Sequence, residues 1–305
     1  MSSYRACGAL VLGCALFLTG CQGTSGPQPN IGSFLPTQFA NSHSNAPNAA
    51  CLGDVDPFRL ADAAPEDFAV LGLGSPTNIS ITGPSRVFGK IANVGVAGAS
   101  KFSMSDGYVG GQVILSSAAS TNITGPSIVK GGTVINDALL TSAVACAQKS
   151  SQFYAGLPAT SGTPSVINIS NPSGDITIAA STHVTVVDLT DLVLNGASTV
   201  TLTSNQPAKF VINDTGRFVL QGGSRIVVAG ALLPVDVLFN VVGTGQDVAM
   251  GGGTQNGVPT SQAYGILLAL QRNISLSPGL VRPEVIGGGA QINITSGGQV
   301  IDRDP

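Results

Sequence analysis

From Phe68 to Ile301 the chain is written in apolar runs of three to six residues, each broken by Gly, Asn, Ser or Asp. Phe68-Ala69-Val70-Leu71, Gln112-Val113-Ile114-Leu115, Asp191-Leu192-Val193-Leu194 and Val237-Leu238-Phe239-Asn240-Val241-Val242 are typical. Runs of this length, rich in β-branched residues and bounded by turn formers, predict strands. In Thr199-Val200-Thr201-Leu202-Thr203 the alternation is explicit. The three threonines fall on one side, outward, and Val200 and Leu202 on the other. Related runs recur at about eighteen to thirty residues. Sandwiches, barrels and β-solenoids all use many short strands. Recurring phrases in place of long hairpins favour a solenoid, in which each strand pairs with its equivalent one coil away. The expected fold class is all-β, a parallel β-helix. Asn195-Gly196 and Asn256-Gly257 are hairpin-type dipeptides, so hairpins are not excluded.

The phrase Asn78-Ile79-Ser80-Ile81-Thr82-Gly83-Pro84-Ser85 is nearly restated at Asn122-Ile123-Thr124-Gly125-Pro126-Ser127. Shorter versions stand at Asn168-Ile169-Ser170, Asn273-Ile274-Ser275 and Asn293-Ile294-Thr295. All match glycosylation acceptors formally. A backbone reading fits them better: Asn at a coil corner, where its side chain tolerates left-handed geometry, then inward Ile, outward Ser or Thr, and a Gly-Pro turn. They are too scattered in sequence to converge on one pocket.

One segment changes period. Between Asn136 and Ala155 the apolar positions are 139, 140, 143, 144, 147, 153 and 154, a helical stripe. Asn136 and Asp137 can cap its start, and Gly156 followed by Pro158 ends it. A single amphipathic helix, 136–155, should lie along the solenoid and carry Cys146 against it.

Composition narrows the function classes. Charged residues are 10% of the 305, Gly numbers 40, Trp is absent and the net charge is −3. No Lys/Arg stripe appears, which removes the electrostatic basis for binding nucleic acid. The start, MSSYRACGALVLGCALFLTGCQG, has one Arg, an apolar run from Ala6 to Leu18, then Leu18-Thr19-Gly20-Cys21. The run is short for a membrane span and reads as an export signal, residues 1–20. Its ending looks like a bacterial lipobox, with Cys21 as the lipid attachment site and acyl chains such as palmitate as the anchor. Gln22 favours the outer membrane by resemblance to lipoprotein sorting. An ordinary secretory signal is the alternative. Residues 21–50, rich in Ser, Asn, Pro and Gly, read as a flexible tether. The solenoid domain is expected over 51–305. Cys51 and Cys146 remain after processing; they could form one disulfide or stay as two buried thiols.

With these elements placed, the chain resembles the choice-of-anchor A family of bacterial surface adhesive domains. The carrying phrases are FAVLGLGSPTNISITGPSRVFGKIANVGVAG, GGQVILSSAASTNITGPSIVKGGTVIN, the helix ending in FYAGLPAT, and the tail from DVLFNVVGTGQDVAMGGGTQNGV to GGQVI. The layout of strands with one helix alongside is also similar to the bacterial and fungal ice-binding fold. The resemblance implies a right-handed β-solenoid displayed at a cell surface for adhesion or matrix contact, with no catalytic residues and no cofactor. An antifreeze role is the alternative, through a flat face of which Thr199, Thr201 and Thr203 are the candidate residues. Partners on these readings are the membrane, through the lipid, and extracellular matrix, polysaccharide or an ice surface.

A polysaccharide-active enzyme would need paired carboxylates. Asp188 and Asp191 are the nearest pair, with Asp175, Asp214, Arg217 and Arg225 on neighbouring segments. A few acids at coil turns are expected by chance, and that reading is preferred. His43 and His183 are the only histidines, and neither belongs to a nucleophile elbow or a His/Cys metal cluster. The expectation is a protein that is not an enzyme and holds no metal.

Overall fold

The structure, a computed structural model, describes residues 68–74, 76–169 and 174–302. The expected signal, Cys21, the tether and Cys51 lie outside the described residues. Twenty-seven strands form three parallel sheets of nine, one for each side of a solenoid. The single α-helix among the described residues is Asp137–Ala155. Face 1 is walled by the helix, while faces 2 and 3 look outward.

The coils are not stacked in chain order. On face 2 the strands run, side by side, Ser120–Thr124, Lys101–Ser105, Asn78–Thr82, Gln291–Ile294, Ile274–Leu276, Val248–Met250, Phe218–Leu220, Leu192–Leu194 and Ile167–Ile169. The described chain therefore starts mid-stack and builds toward one end. The helix then crosses back, and the second half builds from the far end until it meets the first. The seam is ordinary parallel pairing: Ile79 sits beside Ile292, Val70 beside Val285 and Val87 beside Val300.

Each face follows from its sequence pattern. The central face 1 strands are buried on both sides, by the core and by the helix, and so read as mostly apolar runs: Phe68–Gly72, Val237–Val241 and Ile266–Ala269 are buried throughout. Faces 2 and 3 are buried on one side only and alternate, as in Asn78–Thr82 and Thr199–Ser204. Inward residues stack into columns such as Ile79, Phe102 and Ile292, all at 0% exposure. Each fully buried Ile or Phe contributes about 1.5–3 kcal/mol.

The helix starts where expected, with Asn136 Oδ1 accepting from the Leu139 N–H at 3.1 Å, and Gly156 ends it. Leu140, Ala143, Ala147 and Tyr154 pack on Leu71, Ile114, Val211, Leu238 and Ile286. Its C-terminal half is also held by polar bonds. Asp188, Asn213 and Asn240 are register neighbours on face 1. Asn213 Nδ2 donates to Asp188 Oδ1 and to the Tyr154 carbonyl, both at 2.9 Å. Asn240 Nδ2 donates to Asn213 Oδ1 at 2.9 Å and to the Ser151 carbonyl at 3.0 Å, while its Oδ1 accepts from Ser151 Oγ at 2.7 Å. Cys146 is buried on the helix.

The repeated phrase has a different corner chemistry from the one its sequence suggests. The residues in left-handed geometry are Gly83 (φ 64°) and Gly125 (φ 66°), where a side chain would be strained. The serine two residues on locks the turn: Ser85 Oγ donates to the Thr82 carbonyl at 2.7 Å and Ser127 Oγ to that of Thr124 at 2.6 Å. The Asn residues belong to the strands or their starts. Asn78 Oδ1 accepts from the Lys101 N–H at 3.0 Å and Asn273 Oδ1 from that of Gln291 at 3.0 Å, so these two bridge neighbouring coils.

Candidate functional site

All five Asn-Ile-Ser/Thr phrases fall on face 2. Across five adjoining strands the central outward row is Ser275, Asn293, Ser80, Ser103 and Asn122, in unbroken register. One step along each strand's outward side stands a second row, with Thr82, Ser105 and Thr124 in register and Thr295 and Ser277 continuing it beyond Ile294 and Leu276. Thr295 Oγ1 donates to Ser277 Oγ at 2.9 Å, so hydroxyls in this row are within bonding distance of each other. Further along, the central row becomes small and apolar, with Ala249, Val219 and Val193, and ends at Asn168. Neither polar row contains a charged side chain; Lys101 and Asp106 stand at its margins. Strands in such a sheet are about 4.8 Å apart and outward positions along one strand about 6.6 Å apart, so the face is a grid of short polar groups.

The sequence-derived candidates sit on face 3. Thr199, Thr201 and Thr203 do point outward, over buried Val200 and Leu202. Their surroundings do not extend the pattern. Thr201 is flanked by Thr177 and Val227, Thr203 by Ala179 and Ala229, and Thr199 by Arg225. The threonine patch is two strands deep. Beyond it the face carries larger groups (Arg225, Gln262, Tyr264, Arg282, Arg86, Phe88, Tyr108), and a hairpin crosses it.

The carboxylates singled out in sequence are engaged separately. Asp191 meets Arg217 through two oxygens, at 3.1 Å from Nε and 2.9 Å from Nη2. That hydrogen bonding lowers the Asp191 pKa to about 2. Asp175 Oδ1 caps the Thr199 N–H at 2.9 Å. Asp214 is buried beside the corner that Arg272 fills, and burial raises its pKa to about 6 against the hydrogen bond from the Gly216 N–H and the attraction of Arg272. No group of three or more His, Cys, Asp or Glu residues suited to a metal ion occurs among the described residues. His183 lines a shallow corner pocket of about 410 Å³ with Ala179, Thr203 and Asn205.

Two features escaped the sequence reading. The phrase repeat was visible, but its convergence on one face depends on coils as far apart in sequence as Ser80 and Asn293 lying side by side. Arg272 gives no local signal at all. It is 1% exposed and its guanidinium donates to the carbonyls of Thr215 and Val242 at 2.7 Å each, Gly243 at 3.0 Å, Gln246 at 3.4 Å, and Gly216.

No family model and no curated protein matches the chain. Among solved structures it is similar to an ice-binding protein from an Antarctic biological consortium, at 19% identity and a TM-score of 0.52 over 77% of this chain and 86% of that one. Two others are an ice-binding protein from the Antarctic ascomycete Antarctomyces psychrotrophicus and an antifreeze ice-binding protein from an Arctic yeast. The first has 18% identity and a TM-score of 0.48, covering 81% of this chain and 98% of that one. The second has 16% identity and a TM-score of 0.46, covering 78% and 90%. The likeness at 0.52 is one of fold: parallel strands in stacked sheets with an α-helix alongside, the solenoid that the strand pattern and the family resemblance both implied.

Proposed function

We propose that the protein binds ice through face 2. The observation that carries this is the uncharged polar grid over five adjoining strands. A crystal face of ice is a neutral, periodic array of O–H donors and oxygen acceptors. Hydroxyl and amide side chains each both donate and accept. Ser, Thr and Asn are short, so holding them in place costs less side-chain entropy than ordering long Lys or Arg chains. Charged groups would keep their own water; here they are confined to the margins. The similar fold of the consortium protein named as ice-binding supports this reading.

The test is thermal hysteresis of the purified chain with two tyrosine substitutions. Ser103→Tyr places a ring within the central row of the face 2 grid and should remove most of the activity. Thr201→Tyr, on face 3, should leave it nearly intact. The reverse pattern would move the site to the threonine patch. Wild-type protein without effect on growing ice would refute ice binding and return the face to adhesion on another surface.

A further inference from the structure

Face 3 carries an insertion that the coil pattern does not require. Links from a face 2 strand to the next face 3 strand are otherwise two to six residues, such as 83–85, 277–279 and 295–298. Between Met250 and Gln262 the link is 251–261, and it folds as a hairpin in which Thr254 pairs with Pro259 and Gln255 with Val258. Asn256 (φ 52°) and Gly257 (φ 77°) make its turn. The hairpin lies across face 3. Gln299 Nε2 donates to the Gly257 carbonyl at 2.7 Å and Gln262 Nε2 to that of Pro259 at 2.9 Å. Beneath it Leu280 and Gln299 are 3% and 7% exposed.

The overhang turns a flat sheet face into a cleft of about 460 Å³. Arg86, Phe88 and Gln299 form its floor, Thr254 and Asn256 one wall, and Ser296 the other. Arg86 and Phe88 flank buried Val87, so both point out of the same strand. The Arg86 side chain makes no hydrogen bond or ion pair with any described residue, and no carboxylate lines the cleft.

We propose that this cleft binds a carboxylate-bearing sugar residue of an acidic polysaccharide. The unpaired guanidinium offers the planar fork that matches a carboxylate. The Phe88 ring offers an apolar surface for the C–H face of a pyranose, and Asn256, Thr254 and Ser296 supply donors and acceptors for its hydroxyls. The volume falls in the usual range for small-ligand sites, about 300–1,000 Å³. This site is on a different face from the ice grid and does not depend on it.

The test is titration calorimetry of the full chain with trigalacturonate at physiological salt, beside neutral cellotriose. Saturable one-site binding of the uronate alone is expected. Arg86→Gln should weaken it about 10- to 100-fold, the loss of one charge-assisted carboxylate contact. Phe88→Ala should also weaken it, while Arg225→Gln, on the same face outside the cleft, and Ser103→Tyr, on face 2, should not. The proposal is overturned by absent binding, by equal binding of cellotriose, or by equal effects of Arg86→Gln and Arg225→Gln, which would mark diffuse electrostatics.

Discussion

Arg272 is where one side chain holds the most backbone, and replacing it should be among the costliest single changes in the domain. Its guanidinium joins two neighbouring coil corners, 215–216 and 242–246, to a third, its own. Arg272→Met keeps the aliphatic stem but removes every donor. Five carbonyl oxygens lose a partner, and each buried orphan costs about 1–3 kcal/mol, with non-additive sums. Set against this is the relief of the cost of burying a charge. The balance is a loss of about 3–5 kcal/mol, near the top of the range for single substitutions. In a domain of this size that lowers Tm by roughly 6–20 °C. Arg272→Lys, which keeps the charge but has three donors and no planar fork, should fall between. Denaturant unfolding followed by far-UV circular dichroism measures all three proteins. A Met variant within 1 kcal/mol of wild type would show that water replaces the guanidinium at no cost, and would refute the stapling argument.

Two further outcomes follow from buried polar groups. Asp214 has a folded pKa of about 6, above its unfolded value, so the folded state binds the extra proton. Its contribution is full below about pH 4 and is lost as pH rises through 6, by about 2–3 kcal/mol at most; Asp214→Asn should flatten the stability profile between pH 4 and 7 relative to wild type, and an unchanged slope would contradict the shift. Asn240→Leu removes the three bonds linking Ser151 and Asn213 and should destabilise by about 2–4 kcal/mol, measured by chemical denaturation, while leaving thermal hysteresis per folded molecule unchanged.

The local elements were legible because local physics sets them. The helix emerged at Asp137–Ala155 from its stripe and caps, and the Thr199–Ser204 strand from its strict alternation. The Asn256-Gly257 dipeptide did mark a hairpin, whereas Asn195-Gly196 marks a corner where Gly196 and Ala197 both have positive φ. The stacking order was not legible. Any inward Ile or Val on one coil can sit beside any other, so nothing in Ile79 announces Ile292 as its neighbour. That is also why the polar grid was hidden: its rows exist only once the two halves meet at the seam. Asn was assigned to corners since it suits left-handed turns as readily as strand ends, and glycine took those positions instead. Buried Arg272, Asn213 and Asn240 carry no pattern that separates them from surface residues.

The central claim is that the Ser/Thr/Asn grid of face 2 is the surface that meets ice. Partitioning into a slowly grown ice mass tests it most directly, because it reads adsorption itself. Wild-type protein should be enriched in the ice fraction, Arg86→Gln should follow it, and Ser103→Tyr should remain in the liquid with an ordinary solute. Exclusion of the wild-type protein, or equal enrichment of Ser103→Tyr, would contradict the account.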